Sequence, residues 1–132
     1  MPDSCILDSC VIAAVFFPEE ASNRAAELVE DKNVITVDLA LAEIANVAWK
    51  RINLFNNSTS PVEKALMKCF EFINTSCELI STSELIEYAF KIAVRENLTV
   101  YDSLFIAASR REKLPLYTLD KKLKIDDSVY LL

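Results

Sequence analysis

The sequence predicts an α/β domain with three layers, α/β/α, built on a short, mostly parallel five-stranded sheet. Two observations carry this prediction. Short apolar segments are mostly separated by amphipathic helical segments, an order typical of parallel sheets covered by helices. The chain has 132 residues, 52 % of them apolar, which suffices for a sizeable core and fits one domain over residues 1–132.

The predicted strands are the short apolar runs at residues 4–7, 34–37, 77–80, 115–119 and 128–131. The predicted helices are residues 9–16, 20–32, 39–54, 61–75, 83–96 and 101–113, with a short helical turn at 121–124. The clearest helix start is Ser60-Pro61, where Glu63 completes a capping box. Because the chain has no glycine, left-handed helix ends fall to asparagine, and Asn33 and Asn97 are the candidates.

Two residue types are absent, and this limits the chemistry. Without histidine, the chain cannot form a serine triad or the usual zinc sites. Without glycine, it has no phosphate-binding P-loop and no dinucleotide-binding fingerprint. The four cysteines lie in apolar segments without a CxxC pair, so we expect buried free thiols. A Cys69–Cys77 disulfide is the alternative.

Apolar runs in the chain are far shorter than the roughly 20 residues of a membrane span. The N-terminus, Met1-Pro2-Asp3, lacks the basic region of a signal peptide. These features predict a soluble, cytoplasmic protein without a membrane partner. The net charge of −6 argues against nucleic-acid binding through a generally basic surface. Any nuclease hypothesis must therefore explain how an acidic protein binds phosphate.

Two carboxylates directly follow predicted strands. Asp8 comes after the strand at 4–7, and Asp120 comes after the strand at 115–119. If these strands are parallel, both acids lie at the same edge of the sheet, where sites of α/β proteins form. Each has a structural alternative: Asp8 could cap the helix that follows it, and Asp120 could begin the last turn or face solvent.

Two further acids lie on predicted helices. Glu43 is the only charge among the eleven residues at 39–49, and Asn46 lies one turn along the same face. A carboxylate in so apolar a helix needs a groove, or a cation that offsets its desolvation. We therefore predict a functional role for Glu43. Asp102 lies three residues after Thr99, so a capping box is its structural alternative.

Asp8, Glu43, Asp102 and Asp120 together supply the oxygen ligands that Mg²⁺ and Mn²⁺ prefer. Such metals promote phosphodiester hydrolysis without histidine, and they let an acidic site bind a phosphate. The sequence therefore predicts a metal-dependent nuclease. Candidate contacts to flanking phosphates, with a solvated helix surface as the alternative, are Lys50, Arg51, Arg110, Arg111, Lys121 and Lys122, near Lys113 and Lys124.

Four segments together resemble the PIN-domain family, and specifically the VapC-type toxins of toxin–antitoxin pairs. Residues 6–11 (ILDSCV) are similar to the family's opening strand, Asp and hydroxyl residue, and residues 41–46 (LAEIAN) to its helix with a central Glu. Residues 98–108 (LTVYDSLFIAA) and 116–123 (LYTLDKKL) resemble its third and fourth motifs. The resemblance covers nearly the whole chain. Ser103 departs from it, because a small apolar residue is more common there.

The resemblance implies a PIN-like domain that cleaves RNA internally with Mg²⁺ or Mn²⁺ at the four acids. It also implies supporting roles for Ser9 and Thr118, and Asn46 is a further supporting candidate beside Glu43. A homodimer and a small antitoxin protein are the implied partners. A homodimer of two-fold symmetry is also indicated by large apolar side chains near helix ends, namely Phe16, Phe17, Trp49 and Phe55.

Several alternatives stay open at this point. A response-regulator receiver needs an acidic pair near the N-terminus, whereas Asp3 and Asp8 lie on one strand. A PIN-like module could bind RNA or protein without cleavage, or the chain could be a housekeeping RNA-processing nuclease. A nucleophilic Ser9 or Cys10 is disfavoured because neither has a candidate base in the sequence.

Overall fold

The computed structural model describes residues 3–132, and within them one sheet has five strands: β1 (Ser4–Leu7), β2 (Asn33–Val37), β3 (Cys77–Ile80), β4 (Leu116–Thr118) and β5 (Val129–Leu131). Their order is β3-β2-β1-β4-β5, and each neighbouring pair is parallel. The central strand is therefore β1, with β2 on one side and β4 on the other. This confirms the predicted short, five-stranded, parallel sheet.

The same residues form six α-helices: α1 (Ser9–Phe16), α2 (Ser22–Asp31), α3 (Leu39–Asn53), α4 (Thr59–Ser76), α5 (Thr82–Glu96) and α6 (Val100–Glu112). A 3₁₀ turn covers Lys121–Leu123. Helix α6 packs on α5 and lies against β1, β2 and β4, while α1 contacts α2, α3 and α4 and lies against β4. The three-layer prediction is confirmed.

The central strand explains why the sequence shows continuous apolar runs instead of alternation. Cys5, Ile6 and Leu7 of β1 are all fully buried. A strand of a parallel sheet is covered by helices on both faces, so side chains that point either way leave water. Burial on both faces also fixes Leu7, and with it the place where the following residue, Asp8, leaves the sheet.

Two asparagines were predicted to end helices in the left-handed conformation, and one of them does so. Asn97 ends α5 with a φ of 54°. The prediction for Asn33 is wrong, because Lys32 after α2 is already extended and Asn33 is the first residue of β2. Lys113, at the end of α6, has a φ of 56° and takes the conformation that glycine would favour.

The predicted start of the long helix α4 is displaced by two residues. The helix begins at Thr59 and its N-cap is Ser58, whose side chain accepts no capping hydrogen bond. The capping box at Ser60 and Glu63 is therefore wrong. Pro61 lies in the first turn, where its missing N–H would have no helical partner in any case.

Two predictions about apolar side chains have mixed outcomes. Phe17 is buried and Phe16 packs against Phe72, with 5.7 Å between ring centroids, so only Trp49 and Phe55 of the proposed patch are exposed. All four cysteines are free thiols, and the Cys69–Cys77 disulfide is not formed.

No helix within residues 3–132 is long and apolar enough to cross a membrane. The expectation about a signal peptide rests partly on Met1 and Pro2, which lie outside the described residues.

Helix α6 contains an unusual hydroxyl. Every residue from Ser103 to Ser109 is buried, and the Ser103 Oγ has no hydrogen-bond partner among the described residues. By contrast, the Ser109 Oγ donates to the Leu114 carbonyl oxygen. A buried hydroxyl without a partner costs free energy, because it has given up its hydrogen bonds to water.

We therefore expect Ser103→Ala to raise the free energy of unfolding by about 1–2 kcal/mol. Chemical denaturation of the two proteins measures the difference. Ser109→Ala is the matched control on the same helix: it removes a hydroxyl that has a partner and should lower stability. A Ser103→Ala protein less stable than the parent would show that this hydroxyl is satisfied in solution.

Candidate active site

The ends of β1 and β4 bring together the first and last motifs of the chain. Because β1 and β4 are parallel neighbours, the residues that follow them lie at one edge of the sheet. The Asp8 N–H donates to the Tyr117 carbonyl oxygen across this edge, at 3.1 Å. The predicted placement of Asp8 beside the segment that leads to Asp120 is thus confirmed.

The Asp8 carboxylate is buried and held by side chains from both segments. Its Oδ2 accepts from Thr118 Oγ1 at 2.7 Å and from Cys10 Sγ at 3.4 Å, and its Oδ1 accepts from Ser9 Oγ at 3.3 Å. Although Asp8 occupies the N-cap position of α1, its side chain forms no capping hydrogen bond. The capping alternative therefore does not account for this carboxylate.

Glu43 reaches the same place from α3. Ser9 Oγ lies 3.0 Å from Glu43 Oε1 and 3.3 Å from Asp8 Oδ1. A hydroxyl has one proton, so Ser9 can donate to only one of these carboxylates at a time. The Ser9 hydroxyl therefore cannot supply a hydrogen bond to both the Asp8 and the Glu43 carboxylate at once.

The pKa values of these acids reflect the arrangement. Burial raises the pKa of Glu43 to about 6, the Ser9 hydrogen bond opposes this, and the charges of Asp8 and Asp102 add to it. Burial also raises the pKa of Asp8, against the hydrogen bonds from Thr118 and Cys10, and the charge of Asp102 raises it further. Asp8, Glu43 and Asp102 therefore act on one another as like charges.

Asp102 lies in the first turn of α6, and its carboxylate is not the helix cap. The cap is Thr99, whose Oγ1 accepts from the Asp102 backbone N–H at 3.1 Å. The predicted capping interaction exists, but it uses the Asp102 backbone. The Asp102 carboxylate is left free to contribute its charge to the pair formed by Asp8 and Glu43.

Asp120 differs from the other three acids. Its Oδ1 accepts from the Lys122 backbone N–H at 3.0 Å, so its side chain caps the 3₁₀ turn. Its Oδ2 lies 3.9 Å from the Lys122 Nζ. It is connected to Asp8 through Thr118, because Thr118 Oγ1 accepts from the Asp120 N–H at 3.0 Å. The structural alternative for Asp120, starting the last turn, is confirmed, and a catalytic role stays a prediction.

The donor set fits a hard divalent cation by its chemistry. Asp8, Glu43 and Asp102 offer carboxylate oxygens, and none of them forms an ion pair with Lys or Arg anywhere in residues 3–132. Buried or half-buried acids without a cation carry a desolvation cost that a metal would offset. Within those residues, however, no three Asp, Glu or Cys side chains already form a group that could hold a metal ion. Metal binding would therefore require side-chain movement.

The predicted supporting and basic residues differ in how close they lie to the four acids. Ser9 and Thr118 touch Asp8, while Asn46 is exposed one turn beyond Glu43. Lys121 and Lys122 lie beside Asp120, and Lys50 and Arg51 lie further along α3 from Glu43.

Arg110 and Arg111 lie near the far end of α6, roughly 12 Å along the helix from Asp102. They pair there with Asp126 and with Glu84 and Glu112. The structure does not bring these two arginines to the acids.

Sequence reasoning missed two residues at this edge. Cys10, expected to be a buried free thiol and disfavoured as a nucleophile, donates to Asp8 and accepts from the Leu119 N–H at 3.4 Å, so it joins the start of α1 to the end of β4. Asp38 also follows a strand, but its Oδ1 accepts from the backbone N–H and hydroxyl of Thr82. That acid fastens the end of β2 to the start of α5. The sequence signal that could have identified Asp38 is its position directly after a predicted strand, which it shares with Asp8.

Comparison with known proteins decides the family. The family model described as PIN domain matches residues 5–126. The chain belongs to the PIN-domain family. It is also 31 % identical over 119 residues to Ribonuclease VapC3 of Pyrobaculum aerophilum, a match covering 89 % of this chain and 90 % of that protein. The VapC-type resemblance is confirmed, and the receiver alternative is excluded.

Solved structures show the same fold at low sequence identity. One is a Pyrobaculum aerophilum protein with a TM-score of 0.76 and 17 % identity, covering 98 % of this chain and 83 % of that one. Another is VapC20 of Mycobacterium tuberculosis, described as a sarcin-ricin-loop-cleaving toxin, with a TM-score of 0.69 and 20 % identity. That match covers 90 % of this chain and 92 % of the toxin.

Proposed function

We propose that this PIN-domain protein is a Mg²⁺- or Mn²⁺-dependent endoribonuclease and the toxin of a toxin–antitoxin pair. The observation that carries the proposal is the buried Asp8 carboxylate, which lies near Glu43 and Asp102 at the shared end of β1 and β4 and pairs with no cation in residues 3–132. The similarity to Ribonuclease VapC3 supports RNA as the substrate. Because the proposed substrate is RNA, we expect the protein to act in the cytoplasm.

Asp8, Glu43 and Asp102 are the residues that would hold the metal, with Asp120 as the fourth acid. When bound, a divalent metal supplies a polarised water and neutralises charge on the attacked phosphate. Thr118 and Cys10 donate to Oδ2 of Asp8 and thereby orient this carboxylate towards the other acids before a metal binds. Glu43, whose Oε1 accepts from Ser9, would hold this metal or a second one, or would orient the attacking water.

Two protein partners belong to the proposal. A small antitoxin is supported by structural neighbours that are described as a toxin–antitoxin complex from Klebsiella pneumoniae and as VapBC2 from Rickettsia felis bound to a DNA fragment from their promoter. A homodimer stays a prediction. The face of α5 that carries Ile86, Phe90 and Val94 at four-residue spacing is exposed and supports it.

The test is an RNA cleavage assay on the purified protein. We expect cleavage of single-stranded or structured RNA with Mg²⁺ or Mn²⁺, and EDTA should stop it because chelation removes the Lewis acid. Product ends mapped at internal positions would distinguish an endonuclease from an exonuclease. Retention of RNA without products, at any added metal, would favour a module that binds without cutting.

A further inference from the structure

The corner between α3 and α4, residues 54–58, is a firmly held turn. Asn56 has a φ of 56°, which reverses the chain after α3. The Phe55 N–H donates to the Lys50 carbonyl oxygen at 3.1 Å, and the Asn57 N–H donates to the Arg51 carbonyl oxygen at 2.8 Å. These bonds hold Phe55 in a fixed position although its side chain is 66 % exposed.

Two cavities that share lining residues lie between this corner and Cys10. A cavity of about 350 Å³ is lined by Val47, Lys50, Arg51, Phe55 and Asn57. A smaller one, of about 110 Å³, shares Val47 and Arg51 and extends to Cys10 and Leu119. The Cys10 thiol in turn donates to Asp8, so the lining of the smaller cavity reaches the hydrogen-bond network of that acid.

The spacing of residues along α3 indicates that one face of this helix runs from the acids towards the corner. Glu43, Val47 and Arg51 are four residues apart and therefore lie on one face of the helix. Arg51 is roughly 12 Å along the axis from Glu43. A neighbouring nucleotide of an RNA strand held at the acids would extend along this face.

The charge of the corner is opposite to that of the protein. The net charge is −6, yet Lys50 and Arg51 are the charged residues that line the 350 Å³ cavity, while Glu19 lines the smaller one together with Arg51. Neither of these cations forms an ion pair within residues 3–132, unlike Arg110 and Arg111. Arg51 is oriented by stacking on the Phe17 ring, 5.3 Å from its centroid, and by donating to the Pro18 carbonyl oxygen.

We propose that the α3–α4 corner binds an unpaired nucleotide flanking the cleaved phosphate, with its base stacked on Phe55 and its phosphate held by Lys50 and Arg51. This rests on the proposed function. An exposed aromatic ring beside cations is the usual means of binding single-stranded nucleic acid, because every base has a face that can stack. Bases of duplex RNA are already stacked in the helix, so the corner selects single strands.

The test measures binding without cleavage, by fluorescence anisotropy of labelled ten-nucleotide RNA in EDTA. Phe55→Ala should raise the Kd for the single strand about tenfold and reduce the preference over a duplex of the same length. Phe55→Trp should retain the binding. Lys50→Gln should make the salt dependence of log Kd shallower by about 0.7, as the loss of one phosphate contact requires.

Leu54→Ala is the matched control, because Leu54 is adjacent, 56 % exposed and outside the cavity. Its Kd should equal that of the parent. Equal Kd values for Phe55→Ala and Leu54→Ala would overturn the proposal, as would a Phe55→Ala protein that loses only binding of a protein partner. A parent protein that binds RNA at the corner but never cleaves it would contradict the proposed function alone.

Discussion

Asp8→Asn should lower the rate of RNA cleavage by at least about 10²-fold. The substitution keeps the shape of the side chain but removes a negative charge from the proposed metal site, and the metal contributes several kcal/mol at the transition state. Asp8 is the most buried of the four acids, and both Thr118 and Cys10 donate to its Oδ2. Steady-state cleavage of one labelled RNA, at saturating Mn²⁺, measures the effect.

Asp127→Asn serves as the control for the loss of one negative charge, because Asp127 is exposed in the loop before β5 and far from the described network. Its cleavage rate should match that of the parent. Full activity in Asp8→Asn, after a repeat purification excludes a contaminating nuclease, would eliminate the mechanism and leave Asp8 with a structural role.

The second large effect concerns Asp102 and stability. Asp102→Asn should make the metal-free protein more stable at neutral pH, because the Asp102 charge disfavours ionisation of Asp8 and Glu43. Mn²⁺ at a hundred-fold excess over its Kd should stabilise the parent by about 2.7 kcal/mol and stabilise the variant less. Melting curves with EDTA and with Mn²⁺ measure both differences.

The pH dependence has a defined sign. The pKa of Glu43 is raised from 4.5 to about 6, so ionising Glu43 costs stability at pH 7. This cost is fully present above the folded pKa, and it is relieved as the pH falls from about 6 towards 4.5. The metal-free parent should gain stability over this window, and Asp102→Asn should gain less because part of the repulsion is already gone.

Asp102→Ala separates this explanation from a helix-dipole effect. If repulsion dominates, Ala should raise stability as Asn does. If the carboxylate mainly stabilises the N-terminus of α6, both substitutions should lower stability by up to about 1 kcal/mol. That second result, together with no response to Mn²⁺, would mean that the acids do not form one site.

The fold and part of the site follow from local sequence patterns. The apolar runs of β1, β2 and β4 reflect burial on both faces of the sheet, which is why these strands were predicted to within one residue at each end. Glu43 was recognisable because a single charge in an apolar helix requires a partner. In the structure, that partner is Ser9.

Other features depend on contacts that no local pattern contains. Asn33 and Asn97 look alike in sequence, but β2 pairs with β1 from Asn33 onward, so the chain must be extended there. Arg110 and Arg111 look like phosphate contacts because they are basic and follow Asp102, whereas the length of α6 carries them to the opposite end. The role of Cys10 becomes visible only once β4 lies beside β1.

The hydrogen bond between Thr118 and Asp8 spans 110 residues, and this has a consequence during translation. A nascent chain that has emerged from the ribosome only as far as α6 contains Asp8, Glu43 and Asp102 but lacks β4. Its central strand then has a single neighbour, and Asp8 has lost its shortest hydrogen bond. Contacts this distant in sequence form late in folding. Because the proposed site includes the bond from Thr118 to Asp8, we expect ribonuclease activity to appear only after β4 has emerged and paired.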